Sequence, residues 1–386
     1  MKIGIPKETE MEKRVAMVPK VVPKLTKIGF DVLVEDELGV SAGFTNEDYQ
    51  ERGARVTDRN EVMNTELILA IGVPKTKKWK EGQTIVCLAD PFRDMEIVKQ
   101  LAKEGVNLCS MDMIPRRLSK AQAMDVNSSQ DNLAGYKSII LGGQYSNKIF
   151  PMMMTSAGTI RPAKVVIMGA GVAGLQAIAT AKRLGAVVYA SDVRLAAKEQ
   201  IESLGGKFIE VEGMEDFEDE SGYAKPLTPE FIQKVNETVC KVAEDADVVI
   251  TTARIFGRDA PTTVPANAVK RMKKGAVIVD MNTDTGGNCE LSEKDEVVEK
   301  EGVVIVGVSN LPGTVANTAS MLYANNVANF VTSLSKDGEF VLDMEDEILV
   351  GPSKESDFYV KGMGGVLVTT NGEIEKNQER LKEVIK

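Results

Sequence analysis

Three glycines, Gly169, Gly171 and Gly174, follow a short run of β-branched residues at the spacing G-x-G-x-x-G. In this pattern the first glycine permits a tight turn and the second lets a phosphate approach the backbone. The third lets the following helix pack closely on the strand. The first turn of that helix presents backbone N–H groups to a pyrophosphate. The pattern therefore predicts a dinucleotide site.

An acidic residue at the expected distance indicates which dinucleotide binds. Asp192 lies 18 residues after Gly174, close to the ~20 residues typical of the carboxylate that binds a ribose 2′-OH. Because a carboxylate there repels a 2′-phosphate, NAD(H) is favoured over NADP(H), although Arg194 nearby argues in the other direction. The candidate cofactor-binding residues are Gly169, Ala170, Gly171, Val172, Gly174, Asp192, Val193, Arg194, Gly222, Ala253 and Arg254.

The elements around this motif alternate between apolar strands and amphipathic helices, which is typical of a parallel α/β fold. We expect two Rossmann-like domains with parallel sheets, joined by crossing helices around a central cleft. The predicted N-terminal domain is discontinuous (1–130 plus 325–386), and the predicted NAD(H)-binding domain covers 131–324. The methionines at 152–154 are expected to pack at the domain joint. Strands are predicted at 3–5, 31–34, 67–71, 84–88, 107–110, 165–168, 187–190, 208–211, 248–252, 276–281 and 303–308, and helices at 18–28, 46–53, 93–105, 133–145 and 315–331.

Composition excludes several classes of function. The net charge of −10 disfavours nucleic acids and anionic membranes as partners, and no apolar run approaches the ~18 residues of a membrane span. The widely spaced Cys87, Cys109, Cys240 and Cys289 are expected to be reduced thiols of a cytoplasmic protein, and no metal is expected. The chain has no histidine, so zinc hydrolysis and Ser-His-Asp chemistry are excluded.

Long segments of the chain resemble the NAD(H)-binding component (domain I, the soluble portion of the alpha subunit) of proton-translocating NAD(P) transhydrogenases, relatives of alanine dehydrogenase. The resemblance implies Re/Si-specific hydride transfer between NADH and NADP⁺ held on a partner subunit, coupled to proton translocation by a membrane-spanning subunit. It also implies a homodimer, peripheral on the cytoplasmic face of the inner membrane through its partners. The matching segments include IPKE, RVAMVPK, RRLSKAQAMDVNSSQDNLAGYKS, PMMMTSAGT, GAGVAGLQAIATAKRLGAVV and DMNTDTGGNCELS.

The polar stretch 116–132 has the composition of a solvated connector, but the resemblance implies a catalytic loop. The family presents an arginine, a glutamine and an aspartate at the spacing R-x-x-x-x-Q-x-x-D, which here are Arg117, Gln122 and Asp125, with Ser128 beyond. They would hold the nicotinamide, its carboxamide and its ribose. By the same resemblance Tyr223, in a mobile loop at 212–227, would close over NAD(H). Arg254 stands where the family has an aliphatic residue.

Hydride transfer between two nicotinamide rings is compatible with a chain that lacks histidine. No substrate gains or loses a proton, so the step needs only two C4 atoms held at ~3–3.5 Å with water kept out. One alternative is an alanine dehydrogenase-like oxidoreductase acting through Arg14 and Lys75. However, QTIVCLAD, with Cys87 and Leu88, occupies the segment where that family carries a histidine. A second alternative is a non-enzymatic NAD-sensing module.

Overall fold

The computed structural model describes residues 1–214, 228–255, 257–356, 359, 363–376 and 378–385. Its strands are β1 (Lys2–Ile5), β2 (Asp31–Glu35), β3 (Arg55–Thr57), β4 (Leu67–Leu69), β5 (Thr84–Cys87), β6 (Asn107–Ser110), β7 (Met153–Thr155), β8 (Gly158–Ile160), β9 (Lys164–Met168), β10 (Val187–Ser191), β11 (Lys207–Phe208), β12 (Val248–Thr251), β13 (Val277–Asp280), β14 (Val297–Lys300), β15 (Val303–Gly307), β16 (Ser335–Lys336), β17 (Glu339–Phe340), β18 (Leu367–Thr370) and β19 (Glu373–Ile374). Its α-helices are α1 (Val22–Thr26), α2 (Asn46–Glu51), α3 (Arg59–Met63), α4 (Met95–Lys103), α5 (Val126–Tyr145), α6 (Val172–Arg183), α7 (Ala197–Ser203), α8 (Pro229–Ala243), α9 (Ala266–Arg271), α10 (Ala316–Ser333), α11 (Glu347–Val350) and α12 (Glu379–Ile385).

The chain forms two compact units. The first unit comprises Met1–Gln130 with Val315–Lys386, and the second comprises Asp131–Thr314. The predicted boundary at 324/325 differs from this division and would fall inside α10. That helix is continuous, and its apolar side chains, such as Tyr323 and Val327, are fully buried in the core of the first unit.

The first unit contains an eight-stranded sheet in the order β19-β18-β6-β5-β4-β1-β2-β3. Neighbours from β6 to β3 pair in parallel, as predicted for this α/β pattern. The chain end adds two antiparallel strands: β18 pairs with β6, and β19 pairs with β18. The sheet is therefore mixed, and its antiparallel edge comes from residues far along the chain.

The second unit contains a seven-stranded sheet in the order β11-β10-β9-β12-β13-β15-β14. All neighbours pair in parallel except the edge pair β14 and β15. After β9 the chain builds outward through β10 on one side and then returns to place β12 on the other. The carboxyl ends of β9 and β12 are therefore the topological switch point, where open α/β sheets bind their ligands.

Two predicted helix boundaries are wrong, for local reasons. The helix predicted at 18–28 is only the short α1, where a proline occupies the first helical turn. The helix predicted from 133 begins at Val126, because the Asp125 carboxylate accepts the Ser128 backbone N–H at 2.9 Å, as an N-terminal cap does. Residues 126–132 of the predicted connector are therefore helical.

The methionine triplet is exposed, contrary to the prediction that it packs at a joint. Met153–Thr155 and Gly158–Ile160 pair as a separate antiparallel hairpin, and the side chain of Met154 is 75% exposed. Most of the loop predicted to be mobile, residues 215–227, lies outside the described residues.

Candidate functional site

The glycine turn begins where β9 ends, at the switch point of the second unit. Gly169 has φ +104°, a conformation that glycine adopts without strain. A Cβ on Gly174 would lie 1.9 Å from the Gly169 carbonyl oxygen, whereas a Cβ on Gly171 would meet no atom within 4 Å. The first glycine thus makes the turn, the third permits close packing, and the middle one borders open space.

Helix α6 starts directly at this turn. Gly171 is its N-cap residue, and no side chain in the described structure caps this end. The first N–H groups of a helix lack partners within the helix and carry a partial positive charge, so they bind anions. This end of α6 therefore suits a pyrophosphate.

Asp192 follows β10 and lies against the glycine turn. Its Oδ2 accepts the Ala170 backbone N–H at 2.8 Å. Arg194 donates from Nε to Oδ1 at 2.9 Å and from Nη2 to Oδ2 at 3.1 Å, which makes a bidentate ion pair. Because Arg194 compensates the charge of Asp192, repulsion of a 2′-phosphate is weaker than the sequence argument assumes.

Two further candidate residues, Ala253 and Arg254, follow β12, the neighbour of β9. Thr252, immediately before them, donates from its hydroxyl to the Met168 and Gly169 carbonyls at 3.2 and 3.1 Å. This segment is therefore bonded directly to the glycine turn. The Arg254 guanidinium is half-exposed and lies 3.8 Å from the Asp284 carboxylate.

The other candidate residues flank these contacts or lie outside the described residues. Val172 is the first residue of α6, and Val193 lies between Asp192 and Arg194 with its side chain half-buried. Gly222 and Tyr223 lie outside the described residues.

In the first unit, the predicted catalytic loop forms a compact polar cluster around Asp125. Arg116 donates from Nε to Asp125 Oδ2 at 2.9 Å and from Nη2 to Ser128 Oγ at 2.6 Å. Ser128 Oγ in turn donates to Asp125 Oδ2 at 2.6 Å. The structure thus places Asp125 and Ser128 in direct contact and adds Arg116, which the sequence analysis did not single out.

Two predicted members of that loop occupy neighbouring positions. Gln122 is exposed on the 3₁₀ turn Ser119–Met124. Arg117 is half-buried beside Arg116. The spacing R-x-x-x-x-Q-x-x-D selects Arg117 as the arginine of the loop. The signal that could have indicated Arg116 is the pair of adjacent arginines, because both precede the start of α5.

Arg14, the residue on which the alanine dehydrogenase-like alternative depends, is already engaged within the first unit. Its Nε and Nη2 donate to the two carboxylate oxygens of Glu12 at 2.9 and 2.7 Å, and its Nη1 donates to Gln130 Oε1 at 2.9 Å. The Arg14 side chain is only 10% exposed, whereas Lys75 is exposed. Each of the three guanidinium nitrogens of Arg14 therefore makes a hydrogen bond within the first unit.

The same unit contains two partly buried carboxyl groups, Glu8 and Asp112, that no sequence pattern indicated. Glu8 accepts the Ile71 and Gly72 backbone N–H groups at 2.6 and 3.4 Å, and burial raises its pKa to about 7. Burial likewise raises the pKa of Asp112 to about 6. Solvent exclusion disfavours the charged form of each group.

The cysteines are buried free thiols. Burial raises the pKa of Cys240 to about 11 and of Cys289 to about 12, and it raises the pKa values of Cys87 and Cys109 as well. Protonated, enclosed thiols are poor nucleophiles and poor metal ligands. Among the described residues no group of His, Cys, Asp or Glu is arranged to hold a metal ion, and no helix has the length and apolarity to cross a membrane.

The fold and the glycine turn define a two-domain α/β protein with a Rossmann-like nucleotide-binding unit. The chain belongs to the alanine dehydrogenase/PNT family: residues 4–134 match the model "Alanine dehydrogenase/PNT, N-terminal domain" and residues 138–357 match "Alanine dehydrogenase/PNT, C-terminal domain".

Three comparisons place the chain within that family. It is 45% identical over 366 residues to the first section of the NAD(P) transhydrogenase alpha subunit of Rhodospirillum rubrum, covering 91% of this chain and 95% of the relative. It is 28% identical over 352 residues to alanine dehydrogenase 1 of Staphylococcus aureus, covering 88% of each. A crystal structure of transhydrogenase from Sinorhizobium meliloti superposes with a TM-score of 0.84 at 39% identity, covering 97% of this chain and all of that one. The alanine dehydrogenase relation is the more distant.

Proposed function

We propose that this chain is the NAD(H)-binding subunit of a proton-translocating, Re/Si-specific NAD(P)⁺ transhydrogenase. The observation that carries the proposal is the glycine turn at the switch point of the second sheet, with Gly171 bordering open space at the start of α6. The near full-length similarity to relatives named as transhydrogenase alpha subunits supports this choice of reaction.

The cofactor assigned to this chain is NAD(H), with the pyrophosphate on the N-terminus of α6. Asp192 is assigned to the ribose hydroxyls, because its carboxylate lies beside the turn and is held there by Ala170 and Arg194. Val172, Val193, Gly222, Ala253 and Arg254 complete the proposed site. When bound, NAD(H) supplies or accepts the hydride.

In this proposal the loop in the first unit serves the nicotinamide end. Gln122 is assigned to the carboxamide, and Asp125 and Ser128 to the ribose and ring. Arg117 would help to hold the nicotinamide, and Tyr223 would close over NAD(H), as the family resemblance implies. The work required is positioning and exclusion of water, which amide, hydroxyl and guanidinium groups perform without titrating.

The proposed partners are an NADP(H)-binding subunit, a membrane-spanning proton-channel subunit and a second copy of this chain. Localisation would be cytoplasmic, peripheral on the inner membrane through those partners. Support for the homodimer comes from the hairpin β7–β8, where Met152, Met154 and Ile160 expose apolar side chains. Large exposed apolar side chains grouped on one element are typical of protein interfaces.

A reconstitution experiment tests the proposal. The purified chain should bind NADH, seen as a change in nicotinamide fluorescence, yet leave pyruvate and ammonia unreduced. Hydride transfer to an NADP⁺ analogue should appear only when an NADP(H)-binding subunit is added. Consumption of NADH with pyruvate and ammonia alone would instead establish the alanine dehydrogenase-like activity.

The contacts of Arg14 with Glu12 and Gln130 use one N–H group on each guanidinium nitrogen, three of its five donors, so they do not decide between the two activities. A third outcome, NADH binding without turnover in either mixture, would favour an NAD-sensing module.

A further inference from the structure

Asp280, the last residue of β13, is the hub of a buried polar network beside the glycine turn. The residue is fully buried, and its carboxylate accepts five hydrogen bonds. Oδ2 accepts from the backbone N–H groups of Asn288 and Cys289 and from Ser292 Oγ, each at 2.8 Å. Oδ1 accepts from the Asn282 backbone at 3.1 Å and from Thr251 Oγ1 at 3.3 Å.

The loop wraps around this carboxylate because two consecutive glycines allow it. Gly286 and Gly287 have φ +98° and +83°, values that other residues adopt only at a cost. A Cβ on Gly287 would also lie 2.9 Å from Asp280 Oδ2. The segment TDTGGN is therefore folded to bring backbone donors onto one acid.

Two asparagines, Asn282 and Asn288, connect this network to the segment that follows β12. Asn288 Nδ2 donates to the carbonyl oxygens of Ala253 and Pro261, both at 2.8 Å, while its Oδ1 accepts from Asn282 Nδ2 at 2.7 Å. Asn282 Nδ2 also donates to the Ala253 carbonyl at 3.2 Å. Both amides are almost completely buried, and together they fix the direction of one peptide group after β12.

The preceding peptide group, between Thr252 and Ala253, lies against the glycine turn. Thr252 bonds to the Met168 and Gly169 carbonyls, and a Cβ on Gly169 would lie 2.5 Å from Thr252 Oγ1 and 3.4 Å from the Ala253 nitrogen. Hydrogen bonds thus run from Asp280 through Asn282 and Asn288 to the Ala253 carbonyl, and the chain itself links Ala253 to Thr252, which bonds to the turn.

We propose that Asn288 and Asn282, anchored by Asp280, are positioning residues for dinucleotide binding: they fix the Ala253 carbonyl and so hold the Thr252–Arg254 segment against the glycine turn. The inference rests on the proposed function, since it names further residues that shape the same site. Neither amide is assigned a contact with the cofactor. Loss of the network should therefore lower the affinity for NADH by displacing the Thr252–Arg254 segment, and not by removing a direct contact with the cofactor.

The test compares Asn288→Ala with a matched control, Gln378→Ala, in the full-length chain. Gln378 is also a fully buried amide whose Nε2 donates to two backbone carbonyls, those of Gly365 and Leu367 at 2.8 and 3.0 Å, but it lies in the first unit. Thermal midpoints are measured first, and NADH is then titrated by fluorescence well below each midpoint.

We expect both variants to lose thermal stability, and only Asn288→Ala to raise the dissociation constant for NADH, by about tenfold. Equal NADH affinity in the two variants would overturn the inference. If Asn288→Ala does not fold, Thr252→Val, which removes only the hydroxyl bonded to the turn, must weaken NADH severalfold, and unchanged affinity there counts against the inference equally. Failure of the unmodified chain to bind NADH would instead contradict the proposed function.

Discussion

Arg116 and Asp125 form an ion pair with Nε and Oδ2 2.9 Å apart, and the same arginine reaches Ser128 Oγ at 2.6 Å. Asp125 also starts α5 by accepting the Ser128 backbone N–H. The ion pair therefore fixes both the start of α5 and the positions of Asp125 and Ser128, the two residues proposed to contact the nicotinamide end of the cofactor.

Replacing Arg116 with leucine should destabilise the protein by about 2 kcal/mol, because a nearly buried carboxylate would lose its charged partner. The same substitution at Arg117 is the comparison. Denaturant unfolding monitored by circular dichroism measures both. No measurable loss at Arg116 would show that the pair with Asp125 contributes little.

Shortening Gln122 to asparagine should slow hydride transfer in the reconstituted enzyme while NADH affinity changes little. The substitution withdraws a positioning amide by one methylene, and small misplacements are costly when two rings must align. Single-turnover rates and equilibrium titration separate the two effects. Parallel losses in rate and affinity would make Gln122 only a binding group.

Asp192→Asn should weaken NADH by about tenfold, or about 1.4 kcal/mol, because the charged acceptor assigned to the ribose becomes a neutral amide. Affinity is measured by fluorescence titration, with AMP as a second probe that carries the same ribose. Unchanged affinity for both ligands would place the adenosine ribose elsewhere.

Glu8 should make stability fall as pH rises through neutrality. Burial raises the pKa of the folded state from 4.5 to about 7, so the folded chain binds the proton more tightly than the unfolded chain. The resulting stabilisation is fully present below pH 4.5 and decreases as pH rises through 7.

Between pH 6 and 7 the expected loss is about 1 kcal/mol. Glu8 contributes most of the change in this window, because the pKa of Asp112 lies lower, near 6. Glu8→Gln should flatten the dependence, as measured by urea unfolding at both pH values. The assignment to Glu8 fails if the Glu8→Gln variant loses as much stability between pH 6 and 7 as the unmodified chain.

Met154→Lys should shift the protein toward monomer if the hairpin carries the proposed homodimer contact. A charge placed in an apolar interface is costly to desolvate. Sedimentation velocity gives the oligomeric state, and Met11→Lys is the control, because Met11 is also highly exposed (84%) but lies in the first unit. Dimerisation that is unaffected by either change would exclude the hairpin.

The sequence predicts well those features that depend on local pattern. Strands such as Val187–Ser191 and Val277–Asp280 follow apolar, β-branched runs, and the glycine spacing anticipates both the positive φ of Gly169 and the crowding at Gly174. Each of these properties is set by neighbours within a few residues.

Features that depend on tertiary contact were not predictable. The burial of Glu8 depends on backbone groups more than 60 residues away, and nothing in its local sequence indicates solvent exclusion. The engagement of Arg14 by Gln130 joins residues 116 positions apart. Asp280 stands in the sequence only as one residue of a motif, and its five donors become visible when the loop is folded around it.

The pairing of β18 with β6 has a consequence for the order of events during synthesis. The Leu108 backbone donates to Thr369 Oγ1 across a separation of 261 positions, which translation at about 5–20 residues per second covers in about 13–50 s. The second unit is continuous in sequence and leaves the ribosome whole during this interval. The edge of β6 that pairs with β18 therefore lacks its native neighbour until β18 has been synthesised.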